Sequence, residues 1–435
     1  MNAKTLPPLR LAAALAASAL SAAVVGTNPP SLPLTVERIA SLPSAQQPAW
    51  RDYLGRSIKQ RAADQKLLAD ERKKSGVKEA PVPPEARGAR PMPLNSPAAW
   101  YAGDDARRRA DHLITFQTPA GGWSKNLNPT DHARAPGEGY SHDNTSRFLA
   151  SGDHDSPAES HWSYIGTFDN DATISELRFL AKVVTAADEK TSTAWRTSFM
   201  RGLDYIIAAQ YPNGGWPQVY PLDGGYHDAI TFNDGAIVNI LTLLHDIADG
   251  KSEFIFVPAE PRARAAAAAQ RGLRCILQTQ IVAAGRRTVW CQQHDMLTLA
   301  PTSARNYEMP SQAGGESAGL AIFLMSLRRP TPEVVAAVQA AAAWFEKTAL
   351  RDVAFRPAPD GSGRALLAAP GAGPTWPRYS QIGTDRPLFG DRDKSIHDHV
   401  EEISQERRNG YGWFGDGPKR ALDRYATWAK DFPVK

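Results

Sequence analysis

The stretch QYPNGGWPQVYP, Gln210–Pro221, closes a run with apolar residues at helical spacing, TAWRTSFMRGLDYIIAAQ, and turns on Asn-Gly-Gly. Gly and Asn accept turn conformations that other residues avoid. An earlier stretch, QTPAGGWSKN, Gln117–Asn126, does the same after DDARRRADHLITFQ. A third run, PRARAAAAAQRGLRCILQTQ, ends at Gln280 with Trp290 beyond it. Trp123, Trp216 and Trp290 therefore each follow a helix that ends in Gln. A second repeat runs in step with the first. TFDNDA (Thr167–Ala172) and TFNDGA (Thr231–Ala236) each open an apolar helix. Helical periods recur in ATISELRFLAKVVTAAD, GAIVNILTLLHDIAD, ESAGLAIFLMSL and TPEVVAAVQAAAAWFEK, and strand-like alternation is scarce. A repeated loop–helix unit predicts an all-α fold, an incomplete ring of helical hairpins. Equivalent long loops of such a ring gather at one end and form a cleft.

The 435 residues carry a net charge of +4 with 42% hydrophobic and 22% charged residues, which fits an ordinary globular chain. The charge is too small, and too dispersed, to point to nucleic acid. Lys4 and Arg10 precede LAAALAASALSAAVV (Leu11–Val25), the pattern of a signal peptide over residues 1–26. The run is too short and Ala-rich for a good membrane span. A secreted or periplasmic monomer with no membrane association after signal cleavage is expected. Residues 27–97 read as a Pro-rich linker plus an N-terminal helical extension, with Trp50, Tyr53, Leu54 and Ile58 at helical spacing. EAPVPPEARGARPMP reads as an extended connector, and residues 98–435 as the ring. Cys275 and Cys291 allow either a disulfide or two buried thiols.

The loops hold the chemistry. Trp123, Trp216 and Tyr220 stand among Lys125, Asn126 and Gln218. Aromatic faces can cover sugars while amides and cations bond hydroxyls and carboxylates. The same rings can instead pack the hairpin ends. Asp169, Asn170 and Asp171, with Asn233 and Asp234, offer hard oxygen ligands of the kind Ca²⁺ takes, or a pair of helix caps. LTLAPTSARNYEMPS (Leu297–Ser311) carries Arg305, Tyr307 and Glu308, and RPLFGDRDKS carries Arg386 and Arg392. Arginines in a cleft bind carboxylates in a bidentate manner; on a surface they form ion pairs. QHD at Gln293–Asp295 reads as polar lining or, preferably, a structural turn. No nucleotide-binding, serine-hydrolase or zinc-protease signature is present.

QTPAGGWSKN, FDNDAT, QYPNGGWPQVYP, ITFNDGA, WCQQHD, LAPTSARNYEMPS and ERRNGY, in this order, resemble the pectate lyases of polysaccharide lyase family ten. The resemblance covers roughly Trp100 to Lys430 and implies an α/α toroid. It implies calcium-dependent β-elimination of polygalacturonate, with Arg305 as the base. Asp169 and Asp234, with Asn170, are the implied metal ligands. Arg392, with Arg386 as the alternative, is the implied grip on the substrate carboxylate. Lys125, Asn126, Asn233, Trp123, Trp216, Tyr220 and Glu308 complete the implied substrate site. Lys394 follows the Arg392-Asp393 pair where the family pattern commonly has Gly. Desolvation and nearby cations are expected to lower the pKa of Arg305 and to favour alkaline pH. A glycoside hydrolase on an α/α ring and a non-catalytic pectin-binding protein are the competing readings.

Overall fold

The three glutamines that end the repeated helices each donate one pair of bonds, and these bonds build the ring. The computed structural model describes residues 24–76, 92–130, 132–142, 149–150, 152–156 and 165–433. Its helices are α1 (Val36–Ala40), α2 (Gln47–Ser75), α3 (Asp104–Thr115), α4 (Ile174–Ala186), α5 (Glu189–Ala209), α6 (Ala236–Ala248), α7 (Ala259–Thr279), α8 (Gly314–Ser326), α9 (Pro332–Thr348), α10 (Gln405–Gly410) and α11 (Gly417–Trp428). The apolar helices α4, α6 and α8 form the inner layer, and each is followed by an outer partner, α5, α7 or α9. Outer helices keep a polar face for solvent, as partly buried helices do. Helix α3 packs on α4 and α5 at one end, and α11 packs on α8 and α9 at the other. The result is the incomplete α/α toroid expected from sequence.

Gln117 Nε2 donates to Gly121 O at 2.8 Å and to Ser198 O of α5 at 2.9 Å. Gln210 Nε2 donates to Gly214 O at 3.0 Å and to Ala268 O of α7 at 2.9 Å. Gln280 Nε2 donates to Thr288 O at 2.9 Å and to Ala337 O of α9 at 3.0 Å. Each glutamine thus fixes its own loop and hooks it to the next outer helix. The first Gly of each Gly-Gly lies against that same helix. A Cβ on Gly214, whose φ is +96°, would stand 2.2 Å from Arg271 O, so no larger residue fits there.

The tryptophans then point back. The indole Nε1 of Trp123 donates to Leu113 O at 3.0 Å, Trp216 to Ile206 O at 2.8 Å, and Trp290 to Ile276 O at 2.7 Å. Trp376 donates to Phe345 O of α9 at 2.8 Å, a fourth copy beyond the three legible in the sequence. Gln210→Ala is expected to lower unfolding free energy by about 1–3 kcal/mol by stripping buried carbonyls of their donor. Denaturant unfolding would show this.

Strands are few. β1 (Val24–Thr27), β2 (Gln312–Ala313), β5 (Tyr379–Ser380), β6 (Pro387–Gly390) and β7 (Ser395–His397) form one antiparallel sheet in the order β1-β7-β6-β5-β2. A separate hairpin joins β3 (Val353–Pro357) to β4 (Arg364–Ala368).

The N-terminal segment corrects the sequence reading. Residues 27–46 are not a free linker: Asn28, Leu34 and Ile39 are buried, and α1 and α2 pack against the ring. Tyr53 of α2 donates to Ala209 O at 3.0 Å, and Trp50 and Tyr53 pack at a tilt against Tyr211, whereas Ile58 faces solvent. The signal segment lies outside the described residues as far as residue 23, and β1 begins within its last three. The connector up to residue 91 lies outside them too. No described helix is long and apolar enough to cross a membrane. Cys275 and Cys291 are free, buried thiols, and burial pushes Cys275 up to about 12.

Candidate active site

Two duplicated single turns bring the acids together. Asp169–Asp171 and Asn233–Gly235 each make one 3-10 turn behind a buried phenylalanine, Phe168 or Phe232. Asn170 and Asp234 take φ values of 52° and 50°, a left-handed geometry that Asn and Asp tolerate. Neither turn uses a side chain as a helix cap, so capping does not explain these residues. In repeat order Asp169 corresponds to Asn233, and Asn170 to Asp234. The two carboxylates therefore come from staggered positions and lie side by side.

Their electrostatics differ. Asp169 is buried, and Lys125 Nζ sits 2.7 Å from its Oδ2. Burial raises its pKa, but Lys125, Arg305 and Gln218 outweigh burial and hold it below the usual carboxylate range. Asp234, open to solvent at the mouth of the cleft, is pushed up to about 6 by the surrounding protein and then by the negative charge of Asp169. Asn126 accepts from Asn170 Nδ2 at 3.5 Å, beside the first turn.

The cleft is lined by Lys125, Asp169, Asn170, Gln218, Tyr226, Asn233, Asp234, Gln292, Gln293, Ala304, Arg305 and Glu308. Its volume of about 170 Å³ is below the ~300–1,000 Å³ of an enclosed small-molecule pocket. Among the described residues Gln218 Oε1 and Gln293 Oε1 are buried acceptors with no partner. Gln293 is thus cleft lining, while His294 and Asp295 serve the turn: His294 Nδ1 meets Leu299 O at 2.9 Å, and Asp295 Oδ1 accepts from Leu297 and Thr298.

Arg305 rises from an irregular loop. Its Nη2 donates to Glu308 Oε1 at 2.7 Å, and Tyr411 donates to that same oxygen at 2.6 Å. Glu308 Oε2 accepts from the Arg305 backbone N–H at 3.1 Å. Glu308 is therefore occupied in orienting Arg305. Burial pushes Glu308 up, but Arg305 and Tyr411 bring it down to about 2. The expectation of a lowered arginine pKa is overturned. Burial pulls Arg305 down, but Glu308, Tyr411 and Tyr307 together push it well above its ordinary value.

Arg392 Nε donates to Glu406 Oε2 at 2.8 Å, and its guanidinium lies 5.6 Å from the Tyr307 ring centre. Arg305 lies 5.2 Å from the same ring, so the two arginines share one aromatic floor. Arg386 pairs with Asp398 at 3.3 Å on the surface, and nothing brings it to the cleft. Trp123, Trp216 and Tyr220 are corrected as well. The tryptophans are wholly buried with their N–H groups satisfied, and Tyr220 packs among Tyr53 and Tyr205. Their rings build the hairpin ends and offer no sugar platform.

What the loops display is the second residue after each tryptophan: Lys125, Gln218, Gln292 and Arg378. Three line the cleft, and Arg378 borders it. Arg378 Nη2 lies 3.2 Å from Asn233 Oδ1, 3.2 Å from Gln292 Oε1 and 2.9 Å from Glu316 Oε1. Sequence reasoning missed Arg378 because it missed the fourth tryptophan, which is the signal that locates it.

Fold and groove together define an α/α toroid with a polar cleft. A family model described as Pectic acid lyase matches residues 117–422. The structure is similar to that of a family 10 polysaccharide lyase from Cellvibrio cellulosa, with 31% identity, a TM-score of 0.62, and coverage of 78% of this chain and 99% of that one. It is equally similar, at 31% identity and TM-score 0.62, to an aspartate-to-alanine mutant of a family 10 polysaccharide lyase from that organism in complex with trigalacturonic acid, covering 79% of this chain and 100% of that one. No curated protein matches the chain. The chain belongs to the pectic acid lyase family, family 10 of the polysaccharide lyases.

Proposed function

We propose that the protein is a secreted pectate lyase that cleaves α-1,4-polygalacturonate by calcium-dependent β-elimination, with Arg305 taking the C5 proton. The carrying observation is that Asp169, Asp234 and Arg305, far apart in sequence, line one polar groove. Secretion rests on the charged and apolar leader that ends near residue 26.

Among the described residues no three His, Cys, Asp or Glu side chains converge, so a hard cation would rely on amide oxygens as well. Asp169 and Asp234 would supply carboxylates and Asn170 an amide oxygen, and Gln218 Oε1 and Gln293 Oε1 are further unpartnered amide oxygens lining the same cleft. Loss of solvent and then the charge of Asp169 raise Asp234, and a divalent ion would offset both. Bound there, calcium would add positive charge next to the uronate carboxylate and so ease loss of the neighbouring ring hydrogen. The remaining work belongs to side chains. Arg392 grips the carboxylate, and Lys125 keeps Asp169 ionised. Arg305 receives the C5 proton; the C–H electrons form the C4–C5 double bond, and the C4–O bond breaks with its electrons on the leaving oxygen. The test is polygalacturonate with and without calcium: ultraviolet absorbance from the unsaturated end rises with the ion and stays flat after chelation. A hydrolase would leave no unsaturated end, so the same assay separates the two reactions.

An arginine base must lose its charge, and Glu308 opposes that loss. The neutral fraction therefore grows about tenfold per pH unit throughout the alkaline range. Log kcat/KM is expected to climb above neutrality, and Glu308→Gln to move the climb to lower pH. A pH–rate profile that is flat above neutrality in both proteins removes Arg305 from the role of base.

A further inference from the structure

The segment ahead of α1 touches the loop of Arg305 at several residues, and Asn28 makes the most bonds to it. Asn28 is 1% exposed, and its Nδ2 donates to Arg305 O at 2.9 Å, Asn306 O at 2.9 Å and Glu308 O at 3.2 Å. Its backbone N–H donates to Lys394 O at 2.8 Å, two residues past Arg392. One asparagine thus bolts the backbone of Arg305 to the turn that carries Arg392. Asn306 ties the same two loops again, donating to Arg392 O at 2.6 Å. Neighbouring bonds support the bolt: Ser303 Oγ donates to Pro29 O, and Thr302 Oγ1 to Ser31 Oγ at 3.3 Å.

We propose that Asn28 is a positioning residue for the lyase reaction, setting the loop of Arg305 against the turn of Arg392. The inference rests on the assignment of those arginines to the reaction. Three features favour it over plain packing. Within the loop, Glu308 N–H donates to Arg305 O at 2.9 Å and Ala304 N–H to Glu308 O at 3.0 Å, and Asn28 ties both of these carbonyls, with Asn306 O, to a segment outside the loop. An amide has two hydrogens, and here they serve three acceptors of one loop, which fixes that loop in more than one direction. The segment also precedes the residues matched by the family model, so the support comes from a part of the chain outside that match.

Asn28→Asp keeps the shape and replaces the donor with an acceptor facing three carbonyls. It is expected to lower kcat by ~10–100-fold, the scale of a misplaced reacting group. KM for polygalacturonate is expected to stay near the parent value, while a carboxyl buried against carbonyls lowers the midpoint of thermal unfolding, so kcat is counted per folded protein. Asn28→Ser, which keeps a single donor, should recover part of kcat. Thr35→Ala is the control: Thr35 caps α1 through its bond from the Arg38 N–H and does not reach the loop, so it should cost stability and leave kcat alone. Unchanged kcat in Asn28→Asp overturns the inference. So does a loss of kcat that only parallels loss of folded protein in Asn28→Asp and Asn28→Ser together. Arg305→Lys, assayed alongside, separates the two readings. Full turnover there ends the assignment of Arg305, whereas an inactive Arg305→Lys beside a fully active Asn28→Asp ends only the role of Asn28.

Discussion

Arg305→Lys is expected to lose ~10²–10⁴-fold in kcat, the range of general-base catalysis, while retaining fold and affinity for polymer. Lysine keeps the positive charge, so attraction for a uronate carboxylate survives. It cannot keep the geometry. The guanidinium is held by Glu308 at 2.7 Å and lies beside the Tyr307 and Tyr411 rings at 5.2 and 5.9 Å, and a shorter ammonium matches neither arrangement. Initial rates from ultraviolet absorbance, with binding of an unreactive oligogalacturonate measured alongside, check both halves. Near-normal turnover would show that the proton leaves to another group.

Asp234→Ala should abolish most of the calcium response. Outer-shell partners of a metal typically matter by ~10–100-fold, and a direct carboxylate ligand should exceed that. The shift of Asp234 gives the prediction a pH signature. Its folded pKa, about 6, lies above that of a free aspartate, so the ion-free folded state loses stability as pH rises through about 6. Asp234→Asn should accordingly raise the unfolding midpoint at pH 8 without calcium. In the parent enzyme calcium affinity should fall as pH drops below about 6, because the proton competes for the same oxygen. A calcium titration at pH 5 and pH 8, read by activity and by thermal midpoint, checks both directions. Identical curves for parent and Asp234→Ala would place the ion elsewhere.

The ring was legible because its repeat is local. A helix period, a terminal Gln and a turn of Gly are read within about twenty residues, whereas the seams that Gln117, Gln210 and Gln280 make to the next outer helix join residues 57 to 81 apart and were not legible. The acids and Arg305 were legible as polar residues crowded at the mouths of apolar helices. The role of the tryptophans was not. A ring beside polar groups looks the same in sequence whether it faces a sugar or a neighbouring glycine, and Gly202 and Gly272 leave room for Trp123 and Trp216. Arg378 was hidden because its loop is interrupted by the β3–β4 hairpin, which stretches the spacing from helix to tryptophan. The support from Asn28 joins positions 277 to 280 residues apart, a range at which sequence pattern carries no information.

The hooks between outer helices all run one way, each from the end of one helix to the middle of its successor. A chain joined by identical couplings can be lengthened or shortened by whole hairpins without inventing a new junction. The arc it subtends is then counted in modules, and with it the number of mouths that open onto the bound polymer.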